Sequence, residues 1–200
     1  VNVSGTGYFR VAEGDGRWWF IDPDGNAKWN IGILAEYPSA SGNGSPELYN
    51  WAKTHYPDRM SYCRMQFKLL EQWGFNAYSC WTSSEFAQIT EERYNQGKSY
   101  FPMYYVLNLS SRGDKDYYAR DRFGNIKGPE HAFPDPFNPQ WRQDARTRAE
   151  SKIPDYKNKP WFVGWFVDSE IDFNDLFRYV WADYSSYQFI NYLENKYVTI

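Results

Sequence analysis

Two acidic residues, Asp168 and Glu170, stand where an apolar run near the C-terminal end of the chain stops. They follow Trp161–Val167, a segment without a charged side chain that is typical of a buried strand. Burial beside tryptophan penalises the ionised form of a carboxyl group, so Glu170 would keep its proton at a higher pH than in water. Residues two apart on a strand face the same side, so Asp168 would add to this effect as a like charge. A strand-end carboxylate that pairs with Arg178 is the ordinary alternative.

Other side chains that could contact a ligand also follow predicted strands. Glu36 comes after the first strand, Trp81 after the second and Asn108 after the third, while His131 lies in the long segment that follows. Trp81 fits ring stacking and core packing about equally well, because buried tryptophan usually serves packing. Glu36 and His131 fit ordinary solvated residues as well as ligand contacts.

The elements that must position these residues alternate in type along the chain. Asp15-Gly16 joins two short aromatic runs as the tight turn of a hairpin, and a second turn follows at Asp22–Gly25. Met65, Leu69, Leu70 and Trp73 have the spacing of one helix face, and Gly74 suits the position after a helix end. The predicted strands are Ala27–Leu34, Phe75–Trp81, Phe101–Leu109 and Trp161–Val167, and the predicted helices are 60–73, 84–97 and 140–152.

This alternation of strand and helix requires a parallel sheet with right-handed crossovers. No glycine-rich phosphate loop follows the first strand, which disfavours a nucleotide-binding doubly wound sheet. Polar and acidic residues follow the strand ends, where (β/α)-barrel enzymes place their chemistry. We therefore predict an α/β chain with the first four βα units of a TIM-barrel-like fold at 27–200, preceded by an N-terminal β-hairpin at 1–26.

Aromatic residues are abundant, with 10 Trp, 18 Tyr and 14 Phe in 200 residues. Flat C–H faces of sugar rings stack on such side chains, so the composition suits a protein that handles polysaccharides or oligosaccharides.

The net charge is -3 and the basic residues form no stripe, which disfavours nucleic acid as a partner. No apolar run approaches the roughly 18 residues of a membrane helix. Neither a cofactor nor a metal site is expected.

Four segments, in order along the chain, carry a resemblance to a known group: Gly7–Val11, Asp15–Gly25, Leu70–Ala77 and Val163–Glu170. Together they resemble β-agarase-type glycoside hydrolases of family 50 and relatives near family 42. These are retaining clan A (β/α)8 barrels with the acid/base Glu at the end of strand four and the nucleophile Glu at the end of strand seven. The resemblance implies a secreted or periplasmic protein that degrades a polysaccharide.

Position by position, the resemblance makes Glu170 the acid/base and Asp168 its acidic neighbour. Ser169 stands where the group has an Asn that hydrogen-bonds the sugar 2-hydroxyl, and its shorter hydroxyl reaches less far. A complete barrel takes about 250 residues, and here only four strands are found, so the nucleophile position has no counterpart. A half-barrel that binds carbohydrate without catalysis, or that self-associates through its open edges, is therefore the alternative to an enzyme.

Modification of the chain is also predicted from its sequence. Cys63 and Cys80 would lie at the same end of a barrel, where an oxidising compartment permits a disulfide, although two free thiols fit as well. The sequons at Asn2, Asn43 and Asn108 would be N-glycosylation sites in a secreted eukaryotic protein.

Overall fold

The structure is a computed structural model that describes residues 3–42, 44–109, 117–126, 133–168 and 181–197. Within these ranges the strands are β1 (Arg10–Gly14), β2 (Arg17–Ile21), β3 (Ala27–Lys28), β4 (Gly32–Ile33), β5 (Ala77–Tyr78), β6 (Met103–Leu107) and β7 (Phe162–Val167). The helices are α1 (Pro46–His55), α2 (Arg59–Gln72), α3 (Ser84–Asn95), α4 (Pro139–Tyr156) and α5 (Asp183–Tyr197). None of these helices is long and apolar enough to span a membrane.

The chain forms two compact units. The first consists of Val1–Val106 and Tyr156–Phe166, and the second of Leu107–Asp155 and Val167–Ile200. The predicted division between a hairpin extension at 1–26 and a barrel domain at 27–200 stays a prediction.

The predicted N-terminal hairpin is present as the first two strands of an antiparallel sheet of order β1-β2-β3. Asp15 and Gly16 have φ angles of 54° and 71°, which is the left-handed conformation that a tight turn between twisted strands requires. At the second turn the Asp22 carboxylate accepts hydrogen bonds from the backbone N–H groups of Asp24 and Asn26, at 3.0 and 2.8 Å. These bonds hold the turn that leads into β3.

The second sheet is parallel and has the order β4-β5-β6-β7, so its four strands follow one another in sequence. Gly32 pairs with Ala77 and Tyr78 pairs with Met103. Between β6 and β7, the Met103 N–H donates to the Trp161 carbonyl. The predicted parallel sheet with intervening helices is therefore confirmed.

The single strand predicted at Ala27–Leu34 is wrong. It is two short strands in different sheets, β3 and β4, because the side chain of Asn76 bonds the backbone between them. Asn76 Oδ1 accepts from the Ile31 N–H at 2.7 Å, and Asn76 Nδ2 donates to the Trp29 carbonyl at 2.8 Å. The second predicted strand is also shorter than expected and is reduced to β5.

An aromatic core lies in the first unit between the parallel sheet and helices α2 and α3. Phe101 is central to it, with its ring centroid 4.7 Å from that of Phe67 and 5.0 Å from that of Tyr78. The predicted inner face of α2 is half right, since Leu70 is buried and Met65 packs against the core, whereas Leu69 and Trp73 are exposed. Tyr62, Cys63 and Phe67 are buried as well.

Candidate active-site residues at the strand ends

Several of the predicted site residues lie outside the part of the chain that the structure describes. These are the acid/base candidate Glu170, its neighbour Ser169, His131 and the sequon residues Asn2 and Asn43. Their roles stay predictions.

Asp168 directly follows β7 and has an unusual backbone conformation. Its φ angle is 56°, a left-handed conformation that Asp and Asn adopt more readily than other residues with a Cβ. The Asp168 N–H donates to the Leu107 carbonyl at 2.9 Å, and Asp168 Oδ1 accepts from the Leu109 N–H at 2.7 Å. Both bonds join residues at the carboxyl ends of β6 and β7. Asp168 thus fixes the place where the chain leaves β7, which is a structural role beside its predicted catalytic one.

Asn108 lies between the two residues that Asp168 bonds. The backbone on either side of it is therefore held at the end of β6, while its side chain is exposed. This position suits a contact with a ligand and leaves the sequon nitrogen open to solvent. Neither role is tested by the structure.

In the first unit the loops that carry Glu36 and Trp81 are hydrogen-bonded to each other. Ser83 donates its N–H to the Ala35 carbonyl at 3.0 Å, and the Ala35 N–H donates to Thr82 Oγ1 at 3.4 Å. Glu36 is exposed, and the Trp81 residue is 44% exposed, so Trp81 does not lie in the core. The structure thus brings these two predicted contact residues onto adjoining loops after β4 and β5.

The predicted disulfide is not formed, and Cys63 and Cys80 are both free thiols. Cys63 lies on the buried face of α2 in the aromatic core, where desolvation raises the pKa of its thiol to about 12. Cys80 lies in the turn after β5 and accepts a weak hydrogen bond from Ser79 Oγ at 3.8 Å. One thiol therefore packs inside the core while the other stays in a loop.

No group of three metal-ligating side chains comes together among the described residues.

Sequence reasoning missed a cleft of about 320 Å³ in the second unit. Trp181 and Tyr184 line it together with Asp135, a carboxylate that is 2% exposed. A sequence signal for one wall was available, because Asp121-Arg-Phe-Gly-Asn125 repeats the pattern of Asp22-Pro-Asp-Gly-Asn26. In both segments the first Asp accepts hydrogen bonds from backbone N–H groups two and four residues later.

The chain is similar in fold to several solved structures. The agarase AgWH50C has 19% sequence identity and a TM-score of 0.67, over 97% of this chain and 36% of that one. PfGH50B has 17% identity and a TM-score of 0.68, over 99% of this chain and 36% of that one. BpGH50 has 16% identity and a TM-score of 0.64, over 99% of this chain and 43% of that one.

The chain thus spans well under half the length of these structures. No family model matches its sequence, and no curated protein matches it either. The resemblance to agarase-type proteins that the sequence motifs predict is confirmed for the fold of this chain.

Proposed function

We propose that this chain is the acid/base-bearing part of a retaining glycoside hydrolase that acts on an agarose-like galactan, with Glu170 as the acid/base. The observation that carries the proposal is positional. β7 is the fourth strand of the parallel sheet, and Glu170 comes three residues after its end, within a chain that matches an agarase in fold over 97% of its length. In clan A barrels the acid/base is expected at the end of the fourth strand.

The distribution of polar and aromatic residues supports this proposal. Sequential parallel strands are the arrangement of the first half of a (β/α) barrel. Every strand of this sheet is followed by a residue that could contact a sugar: Glu36, Trp81, Asn108 and Asp168. Barrel enzymes build their active sites from the loops at this end of the strands.

Retaining hydrolysis needs a second carboxylate about 5–5.5 Å from the acid/base. We propose that residues beyond this chain supply it from the seventh strand of a completed barrel. We propose that the protein acts outside the cytoplasm, where an intact polysaccharide is accessible.

Replacement of the acid/base tests the proposal in the gene product that contains this chain. Glu170→Gln should lower kcat on agarose at least about 100-fold, because general acid catalysis typically contributes about 10²–10⁴-fold. The kcat on an aryl galactoside should fall far less, because its phenolate leaving group needs no protonation. Glu150→Gln, an exposed carboxylate on α4, is the matched control and should keep full activity. Undiminished agarose hydrolysis by Glu170→Gln would refute the assignment.

A non-catalytic, self-associating protein is the second candidate, and exposed apolar residues beside an edge strand favour it. Among the described residues no strand pairs with the outer side of β4. Trp29, Ile31 and Leu34 beside this strand are 74%, 47% and 45% exposed. Unpaired strand edges with apolar neighbours promote association. The mass of the 23.8 kDa chain in solution tests this, because a monomer at high concentration would exclude assembly through this edge.

A further inference from the structure

The cleft in the second unit carries an inference of its own. Its volume of about 320 Å³ lies at the lower end of the range of small-molecule sites, which is about 300–1,000 Å³. Residues from three segments line it: the turn at 117–124, the turn at 135–138 and the start of α5. All three segments belong to the same compact unit.

Two aromatic side chains of this cleft face water. Trp181 is 63% exposed and Tyr184 is 45% exposed. Single exposed aromatic residues are common on protein surfaces, but these two line the same cleft, together with the buried Tyr117 and Tyr118. An aromatic ring with an open face offers a ligand dispersion contact and burial of apolar surface. The pair is therefore suited to a ligand with a flat apolar face.

The walls of the cleft are held in place by hydrogen bonds to two carboxylates. The Asp135 carboxylate accepts from the backbone N–H groups of Tyr184, Ser185 and Phe137, at 3.2, 3.1 and 3.0 Å, and from Ser185 Oγ at 2.8 Å. Tyr184 is thereby fixed at the start of its helix. On the opposite wall Asp121 accepts from the Phe123 N–H at 2.8 Å. Walls fixed in this way lose little conformational entropy when a ligand binds.

The charges of the lining select for a neutral ligand. Among the described lining residues, Arg120 and Arg122 are matched by two carboxylates, Asp121 and Asp135, so these residues together carry no net charge. Arg120 Nη1 donates to the Gly124 carbonyl at 3.0 Å. Both carboxylates already accept backbone hydrogen bonds. A phosphate or sulfate group would find no excess of positive charge among these residues, so they favour an uncharged ligand.

We propose that this cleft binds neutral pyranose units of a polysaccharide, with the rings of Trp181 and Tyr184 stacked on the C–H faces of the sugars. The inference rests on the proposed function for the choice of galactan as the polysaccharide. It assigns to the lining of this cleft a sugar contact surface in addition to the strand-end residues.

Binding of sugar by the 200-residue chain tests the inference. The probes are agarose in affinity electrophoresis and a tetrasaccharide released from agarose in titration calorimetry. Trp181→Ala and Tyr184→Ala should each weaken tetrasaccharide binding by about fivefold or more, in line with the loss of one aromatic stacking contact. Trp181→Phe should retain most of the affinity, because it keeps a ring. Tyr187→Ala is the matched control, since Tyr187 is 62% exposed on the same helix and does not line the cleft.

Equal affinity of the wild type, Trp181→Ala and Tyr184→Ala would overturn the inference, as would tighter binding of a sulfated than of a neutral galactan tetrasaccharide. Failure of the proposed function has a different signature. In the gene product that contains this chain, Glu170→Gln is expected to lower kcat at least about 100-fold, and in the 200-residue chain it is expected to retain the tetrasaccharide affinity. Loss of binding only in the two cleft variants would support the cleft even if Glu170→Gln proved fully active.

Discussion

The core of the first unit and helix α5 of the second unit use aromatic residues in opposite ways. In the first unit Phe67, Tyr78 and Phe101 are 1%, 0% and 3% exposed and pack ring against ring. In the second unit Tyr187 and Phe189 on α5 are 62% and 56% exposed. An aromatic-rich composition therefore does not indicate by itself whether the rings form a core or a surface. Whether a ring is buried depends on the elements that pack against it, because only covered apolar area is removed from water.

The units also differ in what holds their loops. Ring packing and apolar burial dominate the first, whereas the described part of the second relies on carboxylates that accept backbone hydrogen bonds, above all Asp135. Substitutions in the two units should therefore destabilise the chain in different ways.

The largest effect is expected in the aromatic core. The ring centroid of Phe67 is 4.2 Å from Cζ of the Arg93 guanidinium and 4.7 Å from the ring centroid of Phe101. Phe67→Ala should lower the free energy of unfolding by about 3–5 kcal/mol, through lost burial and a residual cavity. Urea denaturation measures this, with Phe67→Leu as a milder variant if Phe67→Ala does not fold. Trp73→Ala, 69% exposed at the end of the same helix, should change stability by less than about 0.5 kcal/mol. Equal effects of Phe67→Ala and Trp73→Ala would contradict the burial difference.

A smaller and more local effect is expected from Asp135→Ala in the second unit. The substitution leaves the N–H groups at the start of α5 without their acceptor, which costs about 1–3 kcal/mol for a buried group. Hydrogen exchange should speed up at the amides of Tyr184 and Ser185, while the amides of α2 stay protected. Asp155→Ala, an exposed residue on α4, should leave both helices unchanged. Uniform acceleration throughout the chain would show that the carboxylate is not a local cap.

The smallest effect concerns pH and the first unit alone. Burial raises the pKa of the Cys63 thiol from 9.0 to about 12, so the folded state holds this proton more tightly than the unfolded state. The resulting stabilisation is complete below pH 9 and is lost as the pH rises from 9 to 12. Between pH 9 and 10, the free energy of unfolding should fall more steeply in the wild type than in Cys63→Ala, by up to about 1 kcal/mol per pH unit. Below pH 8 the profiles of the wild type and Cys63→Ala should run parallel. Parallel profiles between pH 9 and 10 as well would contradict the prediction, because they would show that the thiol does not lose its proton on unfolding.

Local features of the fold were predictable from the sequence because they depend on few neighbouring residues. Asp15-Gly16 specifies a hairpin turn through the conformations that these residues allow, and the alternation of apolar runs with helical segments specifies the parallel sheet. The inner face of α2 could not be read in the same way. Its apolar residues occur on more than one side, and the packing of Phe67 against Phe101, 34 positions later in the sequence, selects the buried side.

The sequence by itself determined the turns, the order of the elements and the placement of polar residues after each strand. The tertiary structure decided the break between β3 and β4, the separation of Cys63 from Cys80 and the assembly of the cleft around Trp181. Each of these depends on contacts between distant segments, such as those of Asn76 with Ile31 and of Asp135 with Tyr184. Local preferences carry no information on such contacts, because their free energy arises only when the chain is folded.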